Sequence, residues 1–167
     1  MTEEVKRNYL EINSLQDLIE GNKPSEDYSL SLINPINFQL NKFFYKNIGK
    51  KHKWVDRLTW SEEKWINYVS SKNVNTYVLK HKDDLVGFFE LIFHPENNER
   101  EIAYFGILEE YQNKKLGSYL LSEAIKKSFG NNVNRVWVHT CSLDHKNALN
   151  NYVSRGMKIF KTEILNI

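Results

Sequence analysis

The stretch from Glu99 to Ser118 constrains the chain more than any other, because its hydrophobic period changes halfway along. Up to Leu108 it alternates and is rich in branched and aromatic residues, as a half-buried strand requires, whereas Leu116, Tyr119, Leu120, Ala124 and Ile125 recur at helical spacing. A strand therefore feeds a short polar turn, and the turn feeds a helix. The first turn of a helix leaves backbone N–H groups without partners, and the macrodipole adds partial positive charge there. Gly117 lets a ligand approach the backbone, and Lys114 and Lys115 add full charge, so the turn is a candidate pyrophosphate seat. The alternative is an ordinary connection carrying exposed lysines.

With 167 residues the chain has the size of one domain with a sizeable core, and we read residues 1–167 as that domain. A net charge of +2 gives no electrostatic case for nucleic acid as a partner. Cys141 is the lone cysteine, which fits a reducing compartment, and nothing reads as a paired metal-ligand array, so no metal is expected. The polar start Met1 to Arg7 lacks a signal-peptide core, and no apolar run approaches a membrane span. A soluble cytoplasmic protein with no membrane partner is expected.

Along the chain, Tyr9, Leu10 and Ile12 predict a short first strand, and Ser14 a capped helix through Ile19 that stops at Gly21. Tyr28, Leu30 and Leu32 alternate as a second strand, and Ile36 to about Ile48 carry a helical pattern ended by Gly49. The linker that follows mixes aromatic and basic residues, with Trp54, Trp60 and Trp65 falling within twelve positions. Ser61 is the expected N-cap of the next helix. Two strands joined at Lys82, Asp83 and Asp84 come next, and Glu90 lies in the apolar run of the second. That carboxylate reads either as an exposed-face residue or as a buried group. After the helix opening at Leu116, Val136 to His139 form a strand, Asp144 is the expected cap of a helix carrying Ala148, Leu149 and Tyr152, and a last strand runs from Met157.

Gln112-Asn113-Lys114-Lys115-Leu116-Gly117 resembles the Gln/Arg-x-x-Gly-x-Gly/Ala turn of the GNAT superfamily of acyl-CoA-dependent N-acetyltransferases. Lys115 stands where that family usually has its first Gly, and can supply a backbone N–H there if its φ is negative. Tyr152 to Met157 resembles the family's Tyr-x-x-x-Gly-Phe block, and Thr140 to His145 is similar to a segment of one bacterial subgroup. The resemblance implies a mixed, mostly antiparallel α/β sheet of about seven strands with helices on both faces. It implies that acetyl-CoA binds through Gly106, Ile107, Leu108, Gln112, Asn113, Lys114, Lys115, Leu116, Gly117 and Ser118, with His145 at a coenzyme-facing position. It further implies that the Trp-rich linker lines the acceptor pocket, with Trp54, Arg57 and Trp60 as candidate contacts. Core or lid packing is the other reading of these residues. Many relatives dimerise, so a homodimer is compatible with it.

Acetyl transfer to an amine needs a neutral nucleophile, a polarised thioester carbonyl and a proton for the departing thiolate. Free ammonium groups titrate at about 10.4 and thiols at about 8.5, so both proton movements benefit from placed groups near neutrality. Tyr152 is the candidate acid, because a phenol donates to sulfur and the family resemblance puts its Tyr there. Glu101 matches the strand Glu that serves as base in some relatives, and Glu90 is the second candidate base; Arg100 or Lys80 would be their partners if they are structural. A backbone N–H near Ile107 or Leu108 would meet the oxyanion. His139 and Cys141 share a strand face and invite a covalent alternative, but direct attack needs no enzyme thioester. The implied activity is acetyl transfer to a primary amine of a small molecule or peptide. A non-catalytic acyl-CoA sensor, or a transferase using a longer acyl or aminoacyl donor, shares the same features.

Overall fold

The computed structural model describes residues 4–166, so Met1, Thr2 and Glu3 of the polar start lie outside it. In order, the elements are β1 (Glu4–Ile12), β2 (Tyr28–Leu32), α1 (Phe38–Gly49), α2 (Glu62–Ser70), β3 (Val74–His81), β4 (Asp84–His94), β5 (Glu99–Ile107), α3 (Leu116–Ser128), β6 (Arg135–Cys141), α4 (Ala148–Ser154) and β7 (Lys158–Asn166). They build one sheet of seven strands in the order β2-β3-β4-β5-β6-β1-β7. Every neighbouring pair is antiparallel except β5 and β6, which are parallel and joined through α3. A parallel pair needs such a crossover, which is why a helix-period run had to follow the strand-period run at Leu116. The mixed, mostly antiparallel sheet flanked by helices is the fold expected from the sequence.

Helices cover both faces. Leu120, Leu121, Ala124 and Ile125 of α3 are fully buried against Leu10, Ile102, Val136 and Val138 of the sheet. On the opposite face Phe44 and Ile48 of α1 pack on Val78, Phe88 and Leu108. Each such Leu, Ile, Val or Phe side chain contributes roughly 1.5–3 kcal/mol by leaving water. Strand β4 lies under both layers, so its residues from Val86 to Leu91 are buried without interruption and the period of two is hidden there.

One irregularity shapes the site. Glu90 lies opposite Tyr104 and Leu91 opposite Ile102, so Ala103 is an extra residue in β5. A bulge of this kind bends its strand. Strand β5 pairs with β6 only from Glu99 to Glu101, opposite Arg135 to Trp137, and beyond the bulge the two strands part. A gap therefore opens in the middle of the sheet.

Two early elements differ from the sequence reading. Strand β1 begins at Glu4, and the helix expected after Ser14 is a single 3-10 turn over Leu15–Asp17. Ser14 does cap it, accepting from the Gln16 N–H, but the Ile19 N–H donates to the Arg155 carbonyl at 2.9 Å, so the segment is held by a distant residue in place of a further helical turn. Gly156 has φ +104 and its backbone passes so close to the Asp17 carbonyl that a Cβ would sit 2.2 Å from that oxygen.

Candidate active site

The turn before α3 is built on two left-handed residues, Asn113 with φ 64 and Lys115 with φ 63. The condition of a negative φ at Lys115 is therefore not met. Reversing the chain into α3 demands the αL region, which explains why glycine suits this position; a lysine there costs roughly 1–2 kcal/mol. Lys115 caps α3 without a side-chain hydrogen bond, so no capping side chain takes the first-turn N–H groups. Ser118 turns its hydroxyl back to the Lys115 carbonyl at 3.0 Å. A Cβ at Gly117 would meet only the Asn151 side chain, at 3.7 Å, so the backbone there is open to an approaching group. The Asn151 amide donates to the Gly117 carbonyl at 3.2 Å and locks α4 beside this turn.

From the turn a cavity of about 1180 Å³ runs into the gap between β5 and β6. Its walls include Gly106, Ile107, Gln112, Asn113, Lys115, Leu116, Gly117 and Ser118 on one side and His145 and Tyr152 on the other. Lys114 and Leu108 do not line it; Leu108 is buried under α1, and its N–H donates to the Val86 carbonyl at 2.8 Å. Amides alternate sides along an antiparallel strand, so the Ile107 N–H points away from β4 and into the gap. Of the two candidate oxyanion donors, Leu108 is thereby excluded and Ile107 remains. The Ile107 carbonyl accepts from the Gln112 side chain at 3.3 Å, which fixes the strand end to the turn.

Tyr152 is buried on α4 with its ring 6.4 Å from that of Phe105 across the gap. Burial, reinforced by the charge of Asp144, pushes its phenol well above the usual range, so it holds its proton. Asp144 does not cap α4 as expected; the helix opens at Asn147 without a side-chain cap. Its carboxylate folds back to accept from the Thr140 hydroxyl at 2.6 Å and the Cys141 N–H at 2.9 Å. Its other oxygen accepts from the Trp54 indole at 3.4 Å, while the His52 Nδ1–H donates to the Leu143 carbonyl at 3.1 Å. These two contacts strap the segment after α1 across the end of β6.

The two candidate bases are in different places. Glu101 lines the cavity and bonds His94 Nε2 at 3.0 Å, and that imidazole stacks on Trp137 with ring centres 5.9 Å apart. Glu90 is fully buried and is not part of the cavity wall. One of its oxygens accepts from the Arg57 guanidinium at 2.9 Å and the Tyr68 hydroxyl at 2.7 Å, the other from the Asn41 amide at 2.9 Å. The two carboxylates do not share an acceptor pocket, because this saturated buried cluster holds Glu90. Neither is partnered by Arg100, which donates to the Ser128 and Gly130 carbonyls.

Arg57 is boxed by the rings of Tyr45, Trp60, Trp65, Tyr68 and Tyr104, its guanidinium carbon 4.3–5.6 Å from their centres. Burial alone would lower its pKa; the charge and hydrogen bond of Glu90 more than reverse this and hold it above the usual range. Of the three candidate acceptor contacts, Trp54 lines the cavity, Arg57 edges it with its charge already paired, and Trp60 lies outside it against Trp65. The Cys141 thiol is pushed up by burial and by Asp144, so it stays protonated. The His145 Nδ1 accepts from the Asn147 N–H at 3.1 Å, and burial, with His52 and Lys146 nearby, lowers its pKa and keeps the ring neutral. The roles of Asp144, His94 and His52 have no marker in the sequence beyond the register of the β4–β5 hairpin, which sets His94 opposite Glu99 and so near Glu101. Among the described residues no group of three or more His, Cys, Asp and Glu could hold a metal ion, and no helix is long and apolar enough to cross a membrane.

The family model described as Acetyltransferase (GNAT) family matches residues 38–157. A GCN5-related N-acetyltransferase from Sphaerobacter thermophilus is similar in structure at TM-score 0.74 and 15% identity, over 99% of this chain and 52% of that one. A second, from Kribbella flavida, gives 0.67 at 13% identity, over 95% and 56%. The chain thus spans a little over half the length of each. An aminoglycoside acetyltransferase from an uncultured soil metagenomic sample, in complex with trehalose, gives 0.65 at 12% identity over 78% of this chain and 88% of that one. No protein of curated function matches the chain.

Proposed function

The chain belongs to the GNAT family of acetyltransferases, and from that premise we propose that it moves an acetyl group from acetyl-CoA to the primary amine of a small molecule or peptide, in the cytoplasm and without a metal, with residues 1–167 as one catalytic domain. The observation that carries this reading is the gap between β5 and β6, which has the open first turn of α3 at one end and the protonated Tyr152 in its wall. The open backbone at Gly117 and the lining by Gln112, Asn113, Lys115, Leu116 and Ser118 suit a diphosphate, and Gly106 with Ile107 suits the pantetheine arm. That one structural neighbour is an aminoglycoside acetyltransferase supports an amine-bearing acceptor.

When bound, acetyl-CoA supplies an activated thioester carbonyl. Glu101, steered by His94, takes the proton that the attacking amine must lose. Ile107 turns its N–H to the carbonyl oxygen as the new C–N bond forms, and a donor so placed contributes about 2.7–4 kcal/mol. Tyr152 would donate its phenolic O–H as a hydrogen bond to the sulfur as the C–S bond breaks, the departing thiolate taking its proton from solvent, and Glu101 would return its proton to solvent. Trp54 is the acceptor contact. Arg57, Trp60 and Glu90 act through the segment they anchor, and His145 borders the donor.

An amine panel incubated with acetyl-CoA tests this, with free thiol followed by colorimetry and acetylated product by mass. Amine-dependent thiol release matched by acetyl-amide is expected. Binding of acetyl-CoA without turnover across the panel would favour a sensor, and faster release from longer acyl-CoAs would overturn the assigned donor.

A further inference from the structure

Arg7 lines the same cavity from β1, and among the described residues its buried Nε meets no acceptor. The carboxylate opposite it on β7, Glu163, accepts from the Tyr9 hydroxyl at 3.1 Å and pairs with the Lys161 ammonium at 2.9 Å, and it feels the charge of Arg7 without bonding it. The Nε itself is closed off, but Arg7 as a whole is half-buried and lines the cavity, so the rest of its guanidinium is open to a partner that a ligand can supply. A guanidinium prefers a planar oxyanion, which it can hold with two parallel bonds.

Its position relative to Glu101 narrows the ligand further. Glu101 lies opposite Trp137 of β6 and Arg7 opposite Cys141, so the two are offset by four residues along β6, about 13 Å at 3.3 Å per residue before the side chains lean inward. His139 lies between them on β6, lines the cavity, and responds to the charges of both. The cavity thus has an acidic position at the level of Trp137 and a basic one at the level of Cys141, with His139 between them. Resting on the amine-acceptor reading above, we propose that Arg7 is the anion-binding residue of the acceptor site and that the acceptor is a primary amine carrying an oxyanion at its far end, an amino-acid-like molecule.

The test is calorimetric titration of the CoA-saturated protein with matched pairs: L-lysine against cadaverine for a carboxylate, and O-phosphoethanolamine against ethanolamine for a phosphate. The oxyanion-bearing member of one pair is expected to bind at least tenfold more tightly than its partner that lacks the oxyanion. That ratio should fall to about one in Arg7→Gln and recover in part in Arg7→Lys, with CoA affinity reporting that both variants are folded. The pair showing the larger ratio identifies the anion. Equal affinities within both pairs, no binding by either oxyanion-bearing member, or a preference that survives Arg7→Gln would overturn the inference. Thiol release with amines lacking an anion preference would defeat this inference alone, whereas failure to bind CoA would defeat the reading it rests on.

Discussion

Replacing Tyr152 by Phe is expected to lower turnover by about two orders of magnitude or more while leaving acetyl-CoA affinity within about twofold. The phenol is buried, its ring faces Phe105 across the gap, and α4 is tied to the first turn of α3 through Asn151 and Gly117. Removing the hydroxyl leaves that packing intact and takes away only the hydrogen-bond donor. The pH profile gives an independent check. Burial raises the phenol pKa, so the group stays protonated beyond the pH at which a free tyrosine, at about 10, would ionise. The wild-type rate should therefore show no falling limb from this group below about pH 10. A variant with unchanged turnover would remove Tyr152 from the mechanism, and a limb near pH 8 that disappears in Tyr152→Phe would contradict the raised pKa.

The largest effect on stability is expected at Arg57. Arg57→Met keeps much of the aliphatic stem in its aromatic box but leaves the Glu90 carboxylate buried with the Tyr68 hydroxyl and the Asn41 amide as its remaining partners. Removing one partner from a buried pair costs about 3–5 kcal/mol. For a chain of this size that corresponds to a fall in Tm of roughly 10 °C. The double replacement Arg57→Met with Glu90→Leu should recover a large part of the loss, since it removes the stranded charge as well. Denaturant unfolding of the single and double variants measures both. If Arg57→Met unfolds like wild type and instead raises KM for the acceptor, Arg57 is a substrate contact and the structural role fails.

The parts of this molecule that local order dictates could be read directly from the sequence. The change of period between Ile107 and Leu116 marks the crossover, Ser61 caps α2 through the Lys64 N–H, and Lys82 with Asp83 makes the β3–β4 turn. The positions of Gly117 and Tyr152 on one cavity follow from the same local motifs once the topology is set. What could not be read depends on contacts between distant segments. Arg57 and Glu90 are 33 residues apart, and nothing in the spacing of a Trp-rich linker says which strand it will fold against. The bulge at Ala103 is invisible because an extra residue in a strand changes pairing without changing composition. At Lys115 the residue type carries no sign of the left-handed backbone that the turn imposes. Asp144 had the chemistry of a cap, and the unpaired Cys141 N–H and Thr140 hydroxyl at the end of β6 drew it the other way.

Acetyl-CoA is expected to enter between β5 and β6, and the crystal structure of the complex tests that most directly. It should have the diphosphate on the N–H groups of Leu116, Gly117 and Ser118, the pantetheine arm along Gly106 and Ile107, and the sulfur beside the Tyr152 hydroxyl. Density for the coenzyme elsewhere on the molecule, or none in the gap at saturating concentration, would contradict it.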